Sequence, residues 1–257
     1  MSERLHVHLP ARMLETELEY LLEQRLQPEI AFRGPDLDQI PAATLELVGD
    51  RLAAAGLAVT VHGPFHDLNP GALEPLVGAV TTQRYRQTLD AAARLGARVV
   101  VFHPGYEFWK YGGQEHLWLE QSLSFWPPLL ESARQSGLRV ALENIFEVRP
   151  ATLVALLDAI DQPEFGHCFD IGHWKLFSET PLEVWFAALG PRLIHLHLHD
   201  NHGVLDDHLP VGEGVIDFPH LFALVDNLPA APTMTLEAHD REALLRSLAG
   251  VAPFLRR

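Results

Sequence analysis

"LIHLHLHDNHGVLDDHLPVGEG", residues 193–214, opens with histidine and aliphatic residues in strict alternation: His195, His197 and His199 against Ile194, Leu196 and Leu198. Successive side chains of a strand point to opposite faces, so one face of this strand is aliphatic and the other is imidazole. The aliphatic face is expected to pack on helices and the histidines to point inward. Spacing alone leaves open whether His197 or His199 is the one that meets groups from other strands.

Working outward, eight short β-type runs can be counted, at 5–9, 29–33, 58–62, 98–103, 139–144, 165–170, 193–199 and 233–238. Between them, stretches such as "LETELEYLLEQRL" and "TTQRYRQTLDAAARLGA" place Leu, Ala and Val three or four apart, the period of a helix buried on one face. The glycine-bearing joins "AAAGLAV", "RLGARVV" and "QSGLRVA" read as helix stop, turn and strand start. Strand and helix in alternation imply parallel strands joined by crossover helices. Eight units in 257 residues predict an α/β fold, a (β/α)8 TIM barrel forming a single domain over 1–257. An open doubly wound sheet is the alternative. It is disfavoured because no Gly-x-Gly-x-x-Gly follows the first strand and because polar residues close six of the strands.

With 47% hydrophobic and 21% charged residues, the chain has the composition of a soluble globular protein. Cys168 is the one cysteine and reads as a small core residue. No run is long and apolar enough for a signal peptide or a membrane span, so a cytoplasmic protein without a membrane partner is expected. A net charge of −15, with no cluster of Lys or Arg, argues against a nucleic-acid partner.

The six polar strand ends carry the functional signal. They read "VHGPF" with His62, "VFHPG" with His103, "LEN" with Glu143, "FDIGH" with Asp170 and His173, "HLHLHDN", and "LEA" with Glu237. In a barrel these ends converge on the carboxyl face, where active sites lie. Imidazole nitrogen with carboxylate oxygen and no thiolate suits catalytic Zn2+, Mn2+ or Fe2+ rather than a structural zinc. So many donors exceed what one ion can use.

His6 and His8 alternate on the first strand without an acid and read as barrel-interior or mouth-lining residues. His66, His116, His202, His220 and His239 read as solvated or supporting. The aromatic stretch "GYEFWKYGGQEHLW" (105–118) is either a self-packed cover or a substrate lid carrying Trp109, Lys110 and Tyr111. Trp174, Lys175 and Phe146 are further candidates for a pocket wall. "GEG" at 212–214 reads as a turn.

These motifs, in this order, resemble the xylose isomerase-like TIM-barrel superfamily, which includes both the endonuclease IV (AP endonuclease family 2) enzymes and sugar isomerases and epimerases. Carried over motif by motif, the resemblance to endonuclease IV implies three zinc ions. His62, His103 and Glu143 would hold the first. Glu143 would bridge to a second, completed by Asp170, His197 and Glu237. His173, with Asp206 and His208 of "DDHLPVGEG", would hold a third. It implies phosphoester hydrolysis of a small-molecule substrate, with Glu143 or Glu237 orienting or deprotonating the attacking water. The basic and aromatic DNA-penetrating loops of that family have no counterpart here, since only "GPDLDQIP" follows the second strand, so cleavage of DNA is the least favoured reading. The resemblance to ketose epimerases implies instead one Mn2+ or similar ion on Glu143, Asp170, His197 and Glu237. In that reading the two glutamates act as the acid-base pair and His173 steadies the substrate.

Overall fold

The computed structural model describes residues 4–255. Eight parallel strands, β1 (Leu5–Pro10), β2 (Gln27–Ala31), β3 (Thr60–His62), β4 (Val99–Phe102), β5 (Arg139–Glu143), β6 (Phe165–Asp170), β7 (Leu193–Leu198) and β8 (Thr233–Leu236), close in sequence order into a barrel. Helices connect successive strands and wrap the outside, as the alternating pattern predicts.

Alternation along the strands sorts the side chains. Val7, Ile30, Val61, Val100, Phe102, Leu142, Phe169, Leu196, Leu198, Met234 and Leu236 belong to the large apolar core shared with the helices. The inward residues of β4, β5 and β6 form a second, small cluster of Val99, Val101, Ala141 and Cys168. Ile194 joins this small cluster rather than the outer core. It lies beside an irregular register at His167 and Cys168, where the expected two-face pattern of β7 is interrupted. The other side of the barrel interior is polar: His6, Glu29, Thr60, His195 and Thr235 are all buried there.

One strand is displaced from its expected place. β2, expected over 29–33, spans Gln27–Ala31. Proline lacks the N–H that a ladder needs and normally argues against a central strand. Here Pro28 is tolerated because the Gln27 side chain donates to Leu5 O at 3.1 Å and accepts from Ala58 N at 3.1 Å, tying β2 to both neighbours. The shift puts Glu29 in mid-strand, in register with His8 on one side and Thr60 on the other.

The helix Glu115–Gln135 seals one flank by laying Trp126 against Tyr85, Phe102 and Phe165, with ring centroids 5.8, 6.1 and 5.1 Å away. Trp126 is wholly buried, and truncating a buried aromatic removes both its transfer free energy and its packing partners. Trp126→Ala is expected to lower unfolding stability by about 3–5 kcal/mol, read by urea titration, without altering the residues at the barrel mouth.

Candidate metal centre

Glu143 ends β5 at the carboxyl mouth, and four imidazoles meet its two oxygens. Oε2 lies 3.1 Å from His62 Nε2 and 3.3 Å from His103 Nε2. Oε1 lies 3.1 Å from His173 Nδ1 and 3.3 Å from His197 Nδ1. The same His197 Nδ1 is 3.4 Å from Glu237 Oε1 and 3.7 Å from Asp170 Oδ2. A third grouping stands at the rim, where Asp206 Oδ2 is 3.4 Å from His173 Nε2 and 3.1 Å from His208 Nε2.

These separations fit a metal centre. Two ligands each about 2.1 Å from a tetrahedral ion lie roughly 3.4 Å apart. His197 Nδ1 and His199 Nδ1 are buried without a hydrogen-bond partner among the described residues, as nitrogens aimed at a cation would be. Sets of donor atoms close enough to share an ion include His62, Glu143 and His197; Asp170, His173 and His199; and His199, His208 and Glu237. The donors are nitrogen and carboxylate oxygen, the set that borderline divalent ions take.

The charges are coupled. Burial by itself would raise the Glu143 carboxyl, yet His197 and His103 hold it well below the usual carboxylate range. Burial likewise opposes charge on His197, but Cys168, Glu237, Glu143 and Glu29 raise it well above an ordinary imidazole. His208, with Asp206 and Glu237 beside it, is raised to about 9 against the effect of burial. Buried carboxylates at this density require compensating positive charge, which imidazolium protons or metal cations can supply.

The scaffold that aims these groups is local. Asn144 clamps the ends of β5 and β6, donating from Nδ2 to Asp170 O and accepting from Asp170 N, both at 2.9 Å. Asp170 caps the helix Ile171–Phe177, its Oδ1 accepting from His173 N at 2.6 Å, and this turn swings His173 over the mouth. Past β7, the buried Asp200 accepts from the amides of Asn201, Gly212, Gly214 and Ile216, folding the loop that presents Asp206 and His208. "GEG" is the expected turn. A Cβ on Gly214 would lie 2.3 Å from Asn201 O, so only glycine fits.

All nine sequence-predicted donors, His62, His103, Glu143, Asp170, His173, His197, Asp206, His208 and Glu237, are therefore in one constellation. Two further residues belong with them. His199 is fully buried at the centre, with Nε2 3.2 Å from both Asp170 oxygens and its ring stacked 4.0 Å from His208. Glu29 lies against the far side of His197, with Oε1 3.0 Å from Nε2. The alternation of β7 already puts His199 on the inward face, a signal that carries no depth.

A cavity of about 770 Å³ opens from the centre. Its lining includes His8, His66 and His239, and its aromatic walls are Tyr20, Phe32, Phe65, Phe146 and Phe177. Phe146 is thus where the sequence places it. Trp109, Lys110, Tyr111, Trp174 and Lys175 are not in the lining. Trp109 points to solvent, 88% exposed, and Lys110 pairs with Glu107 at 2.5 Å. Tyr111 turns inward to Asn69 and Gly71, stacking on Tyr106, so this residue of 105–118 packs on the chain itself and not on the cavity. The Trp174 indole donates to Thr180 O at 3.1 Å, away from the cavity.

Among known proteins, the family described as "Xylose isomerase-like TIM barrel" matches residues 26–256. An uncharacterised protein of Methanocaldococcus jannaschii is 35% identical over 170 residues, 62% of this chain and 57% of that protein, so the chain spans little more than half the length of this relative. A protein named probable endonuclease 4 of Mycobacterium leprae is 29% identical over 211 residues, 77% of this chain and 80% of that one. Among solved structures, a D-tagatose 3-epimerase-like protein superposes with a TM-score of 0.85 at 25% identity, covering 99% of this chain and 97% of that chain. A Thermus thermophilus protein soaked with zinc chloride superposes with a TM-score of 0.80 at 30% identity, covering 98% of each.

Beside the centre, Glu147 is buried at 2% exposure, with Oε2 accepting from Ile145 N at 2.7 Å and Oε1 unpartnered among the described residues. Burial pushes its carboxyl up to about 7. A carboxyl raised on folding stabilises the native state fully below its unfolded pKa and loses that contribution as pH rises through the folded value. Glu147→Gln is therefore expected to match the parent near pH 4.5 and to exceed it at pH 8 by up to about 3 kcal/mol, measured by urea titration at each pH.

Proposed function

The chain belongs to the xylose isomerase-like TIM barrel family, and we propose that it is a metal-dependent phosphoester hydrolase acting on a small anionic molecule. The observation that carries this reading is the rim grouping of His173, Asp206 and His208, a set of donors beyond what a single central ion requires. His62, His103 and Glu143 would hold one ion. Glu143, Asp170, His197 and Glu237 would hold a second. His173, Asp206 and His208 would hold a third. Zn2+ is the ion favoured for these sites, with Mn2+ or Fe2+ as alternatives. Divalent ions, when bound, supply the Lewis acidity that polarises a phosphoryl group and acidifies water.

Glu143 and Glu237 are the groups placed to orient or deprotonate an attacking water, because both stay ionised and both face the point at which His197 aims. Substrate charge is met by arginines that follow β1 and β2. Arg12 and Arg33 each follow by two residues the paired strand ends Pro10 and Ala31, and both line the cavity. The third lining arginine, Arg241, is held by Glu17 at 2.5 Å, whereas the guanidinium groups of Arg12 and Arg33 form no salt bridge among the described residues; Arg33 meets Asp36 only through its backbone N–H. A double helix is not the expected substrate, since a chain of net charge −15 repels a phosphate backbone.

A second reading, sugar epimerisation, draws on the epimerase-like structure that superposes over nearly the whole chain and on the approach of Glu143 and Glu237 to one histidine nitrogen. Counting ions separates the two. Elemental analysis of protein purified without chelator is expected to give more than one divalent ion per chain, and a single ion would favour epimerisation. Turnover of bis(p-nitrophenyl) phosphate is expected, falling on the order of 100-fold or more in His62→Ala and in His208→Ala. Full activity in both variants would remove the hydrolase reading. D-ribose 5-phosphate should bind several-fold tighter than D-ribose in calorimetry, and Arg12→Gln with Arg33→Gln should erase that preference while leaving the metal content unchanged.

A further inference from the structure

β2 sets a carboxylate inside the barrel, out of contact with bulk solvent. Glu29 is 0% exposed, and Oε2 accepts from Thr60 Oγ1 at 3.0 Å while lying 3.0 Å from His195 Nε2. Oε1 lies 3.0 Å from His197 Nε2 outside hydrogen-bond geometry, and neither atom has a hydrogen-bond partner among the described residues, so the two are held together as a close buried charge pair. His195 is held in turn by Thr233 Oγ1 at 2.6 Å and Thr235 Oγ1 at 2.9 Å, so the carboxylate is braced from two sides.

An isolated buried carboxylate costs several kcal/mol, and apolar residues of similar volume would fill the space at lower cost. The facing wall does so, with Val99, Val101, Ala141 and Cys168. What distinguishes the Glu29 wall is a carboxylate 3.0 Å from Nε2 of His197, the histidine whose other nitrogen meets Glu143, Asp170 and Glu237, whereas the facing wall offers His197 only the Cys168 thiol, which burial keeps protonated. A histidine that ligates through one nitrogen has its tautomer and ring orientation set by the partner of the other, and a carboxylate there also strengthens the donor.

Resting on the metal reading above, we propose that Glu29 is a positioning residue: it holds the proton of His197 on Nε2, so that the Nδ1 lone pair faces the central cation position between Glu143, Asp170 and Glu237. Glu29 thereby couples the floor of the barrel, through His195 and two threonines, to the affinity of the mouth for its ion. It touches neither substrate nor reacting atoms. Direct ligation by Glu29 is the competing arrangement, since its carboxylate also lies close enough to His197 and Glu237 to share an ion with them.

The test uses the full chain and Zn2+ as the probe, with affinity read by competition against a chromophoric chelator and Co2+ substitution giving the ligand-field spectrum. Glu29→Gln is expected to bind the same number of ions as the parent, with one of them held about 10- to 100-fold more weakly and its Co2+ spectrum shifted. After chelation the variant is expected to melt no lower than the parent, because a buried charge has been removed. Glu29→Asp, which keeps the charge, is expected to recover part of the affinity. Unchanged affinity in Glu29→Gln, or a lower melting temperature after chelation with no change in affinity, overturns the proposal. So does the loss of one whole ion, which would make Glu29 a ligand. A parent protein that holds no divalent ion at all would instead overturn the metal reading, and that outcome appears before any variant is made.

Discussion

Glu143 is the point on which the site turns. Its carboxylate is buried at the end of a barrel strand, and both oxygens are met by imidazoles from β3, the β4 end, the turn after β6 and β7. Such a charge is stable only if opposite charge is delivered from several directions at once. Closed parallel strands satisfy that condition, because their ends converge on one rim while helices carry the apolar load outside. The same closure makes the inner wall expensive to fill with polar groups. Half of it is apolar, and the polar half lies under the donors.

The distribution of labour follows from depth. At the floor, Glu29, His195 and the threonines Thr60, Thr233 and Thr235 form a network with little solvent contact, beside buried His6. At mid-height, His197 and His199 meet the acids of neighbouring strands. At the rim, Asp206 and His208 depend on a loop whose deep anchor is Asp200, which gathers four backbone amides. The central donors are thus built on strands and the rim donors on a folded loop. The rim grouping is accordingly the part of the centre whose geometry is least fixed by the barrel itself.

Much of this is legible in the sequence, for a physical reason. A polar residue at the end of an aliphatic strand has no packing role to play, so His62, His103, Glu143, Asp170 and Glu237 mark the rim wherever the strand is recognised. Glu29 is not legible because Pro28 obscures where β2 begins, and a two-residue shift moves the acid from a strand start into the barrel floor. His199 escapes for another reason: period-two alternation orders side chains by face and says nothing of height along the axis. The 105–118 segment is open in the sequence for a different reason. Its aromatics signal burial, but whether they cover the fold or face a ligand depends on partners such as Asn69 and Gly71, more than thirty residues away in the chain.

The overlap between hydrolase and epimerase readings has a structural basis. Glu143, Asp170, His197 and Glu237 form a central set that either chemistry can employ, and their arrangement follows from strand register alone: Asp170 pairs with His197 across β6 and β7, and Glu143 sits one strand away. What separates the readings is the periphery, namely His62 and His103 on one side and His173, Asp206 and His208 on the other. These come from β3, the end of β4, the helix after β6 and the loop after β7, and His62, His103 and His173 reach the central four through Glu143. A carboxylate with one oxygen toward each side, as Glu143 has, joins the central and outer sets. On the metal reading proposed above, the two chemistries would differ less in the residues at the middle than in how many cations the outer donors hold around them.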